Sequence, residues 1–157
     1  MTDSSRRDLL RFASLASLGM GLAQATPEQA ERPAGHSMAG VEFEKKDTVR
    51  LGVIGVGGRG NSLIDNFSAM PEVEVTALCD TVKDKVLRAQ AKLERAGKQK
   101  KSPALFHSSD HAFEELVKRD DIDLVLVATP WNWHTPMALA AMKQGKHVAI
   151  EVPAMRR

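Results

Sequence analysis

Cysteine is almost absent. Cys79 is the only one in 157 residues, so no intrachain disulfide forms and no cysteine cage holds zinc. Charge of one sign is not in excess either: 22 Lys and Arg oppose 20 Asp and Glu, a net of +2. Nucleic-acid-binding domains carry a clustered basic surplus, so no nucleic-acid partner is expected. No run of about 18 apolar residues is present to span a membrane as a helix. His36, His107, His111 and His147 lack metal-ligand spacing, and no metal is expected. No internal repeat or low-complexity tract competes with a globular reading. What remains is ordinary: 43% hydrophobic and 27% charged residues, enough chain for one domain plus an extension.

The extension is the N-terminus. Ser5-Arg6-Arg7-Asp8-Leu9-Leu10-Arg11 precedes an apolar run from Phe12 to Leu22 and then Ala23-Gln24-Ala25. A charged start, a short apolar middle and an A-x-A end form a secretory signal over residues 1–25. The paired arginines resemble a twin-arginine signal, which implies a periplasmic or secreted protein with no membrane segment after cleavage. The competing reading is an amphipathic first helix with incidental arginines. Residues 26–47 hold Pro27, Pro33, Gly35 and Gly40 without apolar periodicity, and read as a flexible linker.

From Thr48 the chain alternates strand and helix. Strands are predicted at Val49–Ile54, Val73–Cys79, Ala104–His107, Asp123–Ala128 and His147–Ile150. Helices are predicted at Arg59–Met70, Thr81–Ala96, His111–Lys118 (capped by Asp110) and about Thr135–Gln144, with Gly145 as the stop. This alternation implies α/β architecture, a doubly wound parallel sheet over residues 48–157.

Between the first strand and its helix lies Gly55-Val56-Gly57-Gly58-Arg59-Gly60, a G-x-G-x-x-G loop. Gly55 permits the turn out of the strand, Gly57 lets a pyrophosphate reach the backbone, and Gly60 lets the helix pack closely. Unpaired N–H groups at the helix start then face the phosphates. Asp80 ends the second strand, twenty residues beyond Gly60, where a carboxylate accepts from ribose hydroxyls and repels a 2′-phosphate. NAD is therefore expected rather than NADP, with Lys83 close enough to soften the preference. Arg59 reads either as a phosphate or ribose contact or as a solvated first-turn arginine.

The fourth strand ends in Ala128-Thr129-Pro130-Trp131-Asn132-Trp133-His134, beyond a strand's carboxyl end, where open parallel sheets bind ligands. Trp131 is read as a wall for a nicotinamide or sugar ring, and Trp133 equally as such a wall or as packing. His134 is a polar contact and a weak candidate proton carrier, or a satisfied helix-start histidine. Glu151, at the same rim, is placed to meet a ribose.

The glycine loop, Leu78-Cys79-Asp80, the segment Ala128–His134 and Gly145-Lys146-His147-Val148 through Pro153 together resemble the Gfo/Idh/MocA family of NAD(P)-dependent sugar oxidoreductases. More narrowly the chain is similar to glycoside hydrolase family 109, the NAD-dependent α-N-acetylgalactosaminidases. The resemblance implies a Rossmann fold. It implies cofactor contacts at Arg59, Gly60, Asp80, Trp131, Asn132, Trp133, His134, Glu151 and Val152. It implies a sugar or glycoside substrate. Where the wider family reads Glu-Lys-Pro, this chain has Glu151-Val152-Pro153, and Val152 cannot take a proton from an alcohol. The hydrolase branch implies a different route: transient oxidation of a sugar hydroxyl by NAD, elimination of the aglycone, hydration and re-reduction. The resemblance also implies a second α/β domain carrying the sugar pocket and acid–base groups. That domain is not in this sequence, so a fragment or a truncated gene product is expected, with aggregation or dimerisation through an uncovered sheet edge. The competing functions are an exported sugar oxidoreductase and a non-catalytic nucleotide-binding product.

Overall fold

In a computed structural model of the chain, residues 45–97 and 100–154 are described. The expected signal at 1–25, the linker up to residue 44, part of the basic loop after Gly97 and Met155-Arg156-Arg157 lie outside the described residues. Five strands form one sheet: β1 Val49–Ile54, β2 Val73–Cys79, β3 Ala104–Phe106, β4 Leu124–Val127 and β5 His147–Ile150. Their order is β3-β2-β1-β4-β5 and every pairing is parallel. Four helices cross between them: α1 Gly58–Ser68, α2 Lys83–Ala96, α3 Phe113–Val117 and α4 Trp131–Lys143. This is the doubly wound parallel sheet expected, and its order reverses between β1 and β4, the point where such folds bind ligands.

The two faces have separate cores. Leu51, Val53, Val75, Leu78 and Leu126 pack with Ile64 of α1 and with Val86, Ala89 and Leu93 of α2. Ile54, Ala77, Cys79, Val125 and Val127 pack with Phe113, Leu116 and Val117 of α3 and with Met137 and Ala141 of α4. Each fully buried aliphatic side chain contributes about 1.5–3 kcal/mol, so both faces are strongly driven inward. In β2 the alternation skips a residue. Leu51 pairs with Val75 but Gly52 pairs with Ala77, so Thr76 is an extra residue. Its hydroxyl donates to Asp121 O at 3.1 Å. The bulge puts Val75 and Leu78 on one face, where strict period-two alternation would part them.

Two helices depart from expectation. α4 begins at Trp131, not Thr135, and Pro136 lies inside it. Pro130 precedes the first turn and its carbonyl accepts from Trp133 N–H at 3.0 Å. His134 and Met137 are buried in that stretch, so packing holds the turn although Pro136 forfeits one backbone bond. The helix ends as predicted: Gly145 has φ 70°, its N–H reaches Met142 O, and Lys146 N–H reaches Ala141 O. α3 shrinks to Phe113–Val117, and Asp110 does not cap it. The His111 N–H instead finds the Ser109 hydroxyl at 3.1 Å.

Candidate functional site

The glycine loop is shaped by its own backbone. Gly55 has φ 89°, and a Cβ there would lie 2.7 Å from Ala128 O. At Gly60 a Cβ would lie 1.9 Å from Gly55 O, so only glycine lets α1 start this close to the strand exit. Gly57 is the opposite case: a Cβ there meets nothing within 4 Å. Packing gives no reason for its missing side chain, whereas a group lying on the loop does. Asn61, which sequence reasoning missed, stitches the loop through Nδ2 to Val56 O at 2.6 Å and to Gly57 O at 3.1 Å.

Asp80 stands where expected, and its carboxylate side chain is 9% exposed. Oδ2 accepts from Val56 N–H at 3.1 Å and Oδ1 from Val82 N–H at 3.0 Å. One acid thus ties the glycine loop to the start of α2. Its nearby cation is Lys85, with Nζ 3.8 Å from Oδ1, rather than the expected Lys83.

A groove of about 290 Å³ runs along the carboxyl ends of β1, β2 and β4. Gly55, Gly57, Asp80 and Trp133 of the expected residues line it, joined by Lys85, Asp110, Phe113, Thr129 and Pro130. The loop before α3 therefore supplies a wall that no local motif announced. Trp133 is held there edge-on by Phe113, with ring centres 6.2 Å apart, and by His111 at 5.9 Å. Packing and groove-lining are both true of Trp133. Trp131, the tryptophan expected to wall the ring, is 54% exposed and does not line the groove. Cys79 also lines it, but burial, with the neighbouring Asp80, pushes its thiol up to about 12. It stays neutral and is no nucleophile.

The remaining expected residues sit beside the groove. Arg59 and Glu151 meet each other, Nε to Oε1 at 2.9 Å, bridging the start of α1 and the exit of β5. His134 is fully buried, with Nε2 2.7 Å from Thr129 O and Nδ1 2.9 Å from Pro153 O. Both nitrogens meet backbone carbonyl oxygens, to only one of which a neutral imidazole can donate, and the ring does not line the groove. Thr135 adds a bond from its hydroxyl to Ala154 O at 3.0 Å. These two side chains fasten the segment after β5 onto α4. Asn132 is exposed and Val152 is 80% exposed.

A glycine loop at the switch point of a parallel sheet, with an acid at the next strand's end, defines a dinucleotide-binding Rossmann domain. The chain belongs to the Gfo/Idh/MocA oxidoreductase family, whose NAD-binding Rossmann-fold model matches residues 49–156. Within that family it is 65% identical over 156 residues to a glycosyl hydrolase family 109 protein from Solibacter usitatus, covering 99% of this chain and 34% of that protein. A glycosyl hydrolase family 109 protein from Saccharopolyspora erythraea is 49% identical, covering 96% of this chain and 33% of its own length. The chain thus spans about a third of the length of the curated relatives it matches. Among solved structures, a 3-ketoreductase from Actinomadura kijaniata in complex with NADP aligns at 27% identity and TM-score 0.58, over 69% of this chain and 30% of that one. Scyllo-inositol dehydrogenase from Lactobacillus casei with bound NAD(H) shares the fold at 22% identity and TM-score 0.59, over 70% of this chain and 29% of that one.

The residues present fit NAD. The open face of Gly57 leaves room in which a pyrophosphate would lie, the α1 start would offer it N–H groups, and Asp80, with one backbone N–H on each oxygen, retains acceptor capacity that a ribose diol would use.

Proposed function

We propose that this chain is the cofactor-binding part of an exported NAD-dependent glycosidase of the α-N-acetylgalactosaminidase type. The observation that carries the reading is the 65% identity to a family 109 glycosyl hydrolase across 99% of this chain. The groove and Asp80 supply its cofactor side. Bound NAD would supply reversible two-electron oxidation of a sugar hydroxyl. The chain's own residues bind and orient: the glycine loop takes the phosphates, Asp80 the ribose, and Trp133 stacks at the groove wall. Val152 stands where the wider family has a lysine, so no side chain at that position deprotonates an alcohol. That departure favours the hydrolase over a plain sugar dehydrogenase. Acid–base groups and the sugar pocket are placed in the part of the protein beyond this span, and the substrate is a small glycoside.

The test is a chromogenic α-N-acetylgalactosaminide with NAD. The full-length protein is expected to release the chromophore without net NADH, whereas the 157-residue chain binds NAD and releases none. Accumulating NADH would make the protein a sugar oxidoreductase instead. Turnover by the short chain would place a complete site within the Rossmann half. Export is tested by replacing Arg6 and Arg7 together with lysine. Uncleaved protein should then stay in the cytoplasm, and unchanged delivery would make the arginines incidental.

A further inference from the structure

The glycine loop has a side chain behind it as well as a groove in front. We propose that Asn61 is the positioning residue of the pyrophosphate site: it draws two loop carbonyls away from the anion and so aims two backbone N–H groups at it. The role rests on dinucleotide binding at the loop. Asn61 lies in the first turn of α1, half-buried and outside the groove lining. Its Nδ2 has two hydrogens, and it donates to Val56 O at 2.6 Å and to Gly57 O at 3.1 Å. Its backbone N–H also reaches Gly57 O, at 2.9 Å. One residue therefore holds the oxygens of two successive peptides on the α1 side of the loop.

A trans peptide is planar, with its N–H opposite its C=O. Fixing Val56 O thus fixes the Gly57 N–H, and fixing Gly57 O fixes the Gly58 N–H, both directed away from Asn61. Neither N–H has a partner among the described residues. A Cβ at either glycine would meet nothing within 4 Å, and Gly58 is exposed. Two adjacent free donors with open space at both residues suit a diphosphate, whose oxygens N–H dipoles hold without a cation. Without the Asn61 amide these two peptides can rotate, and a rotated peptide presents an oxygen to the anion in place of an N–H. The Val56 N–H that Asp80 accepts belongs to the preceding peptide, so the ribose side keeps its anchor. Asn61 acts on the phosphates alone, through the backbone.

NAD, ADP and adenosine are titrated against the 157-residue chain, NAD and ADP by calorimetry and adenosine by NMR shifts. Asn61→Ala should weaken NAD and ADP about tenfold, the loss of two modest hydrogen bonds. It should move adenosine, which has no phosphate, by less than about twofold. Asn61→Asp keeps the shape and removes both donors. It should weaken ADP by roughly a hundredfold, because a carboxylate repels the loop carbonyls and the anion alike. In the wild type the Gly57 and Gly58 amide signals should move downfield when ADP is added; in Asn61→Ala, saturated with ADP, they should not. A merely structural Asn61 would weaken ADP and adenosine alike, and that result overturns the proposal. So does unchanged ADP affinity in either variant, and so do Gly57 and Gly58 signals that stay put in the wild type. A wild-type chain that binds neither NAD nor ADP overturns the cofactor reading beneath it.

Discussion

The two ends of the sheet each hold an aspartate, and the two are used differently. Asp123 lies at the amino end, just before β4. Its carboxylate takes Arg50 N–H at 2.9 Å, the Arg50 guanidinium at 2.9 and 2.7 Å, and Lys46 at 2.8 Å. Arg50 above all, with Lys46, holds its carboxyl well below the usual carboxylate range. It has no capacity left, and it binds the approach to β1 onto β4. Asp80, at the carboxyl end, accepts two backbone N–H groups and faces a groove. A carboxylate serves recognition only where its neighbours leave acceptor sites open. At Asp80 they stay open because its two backbone donors take one site on each oxygen and the nearby Lys85 ammonium, 3.8 Å off, is too far for a hydrogen bond.

The sharpest ways to break the contrast lie in the glycine loop. Gly60→Ala puts a methyl group 1.9 Å from a backbone carbonyl that cannot give way. It should cost roughly 3 kcal/mol or more and disturb the whole carboxyl rim; denaturant unfolding at wild-type stability would show the loop to be soft. Gly57→Val acts on function alone. The backbone there has φ −69°, which valine tolerates, and no protein atom lies within 4 Å of the Cβ it would add. Nucleotide binding should be lost while the melting temperature holds. A stable Gly57→Val chain that still binds NAD would remove the pyrophosphate from that position.

The aspartates themselves give the smaller effects. Asp123→Asn should cost roughly 2–3 kcal/mol of stability at neutral pH, several bonds to a partly buried carboxylate, and leave NAD affinity alone. Because the folded pKa of Asp123 is depressed, its stabilisation is complete above the unfolded value of about 3.9 and drains away as pH falls below it. Melting curves of the two chains should therefore converge in acid; a constant gap down to pH 2 would assign the loss to packing. Asp80→Ala should weaken NAD by roughly 1.5–3 kcal/mol, the worth of hydrogen bonds to a charged acceptor. Calorimetry with equal NAD affinity in mutant and wild type would detach Asp80 from the ribose.

Much of this was legible in order along the chain. β1 and β5 have the predicted bounds, Asp80 follows β2, and Gly145 closes α4. The glycine loop was readable because its spacing stands between a strand and a helix start, with Gly60 set by Gly55 O, Gly55 by the end of the adjoining strand, and Gly57 open. The far wall was not. Asp110 and Phe113 reach the groove only because β4 lies beside β1 and brings α3 with it. Lys85 is a charged helix residue like its neighbours until α2 turns it toward Asp80. Trp131 and Trp133 are two residues apart in one segment. Only the helical start at Trp131, about 200° of turn between them, sends one outward and one to the groove.

Local composition by itself determined the alternation of strand and helix, the parallel sheet and the nucleotide loop. Apolar runs, turn glycines and helix stops act over a handful of residues, and their energetics are written in the adjacent chain. Tertiary structure alone decided the bulge at Thr76, the early start of α4 and the burial of His134 between two strand exits. It also decided which cation stands beside Asp80. The bulge and the burial of His134 depend on partners 45 and 19 residues away, Asp121 for Thr76 and Pro153 for His134. Such contacts form only when the packed sheet brings distant segments together, and at that range a helix turn or a single bulge residue outweighs local preference.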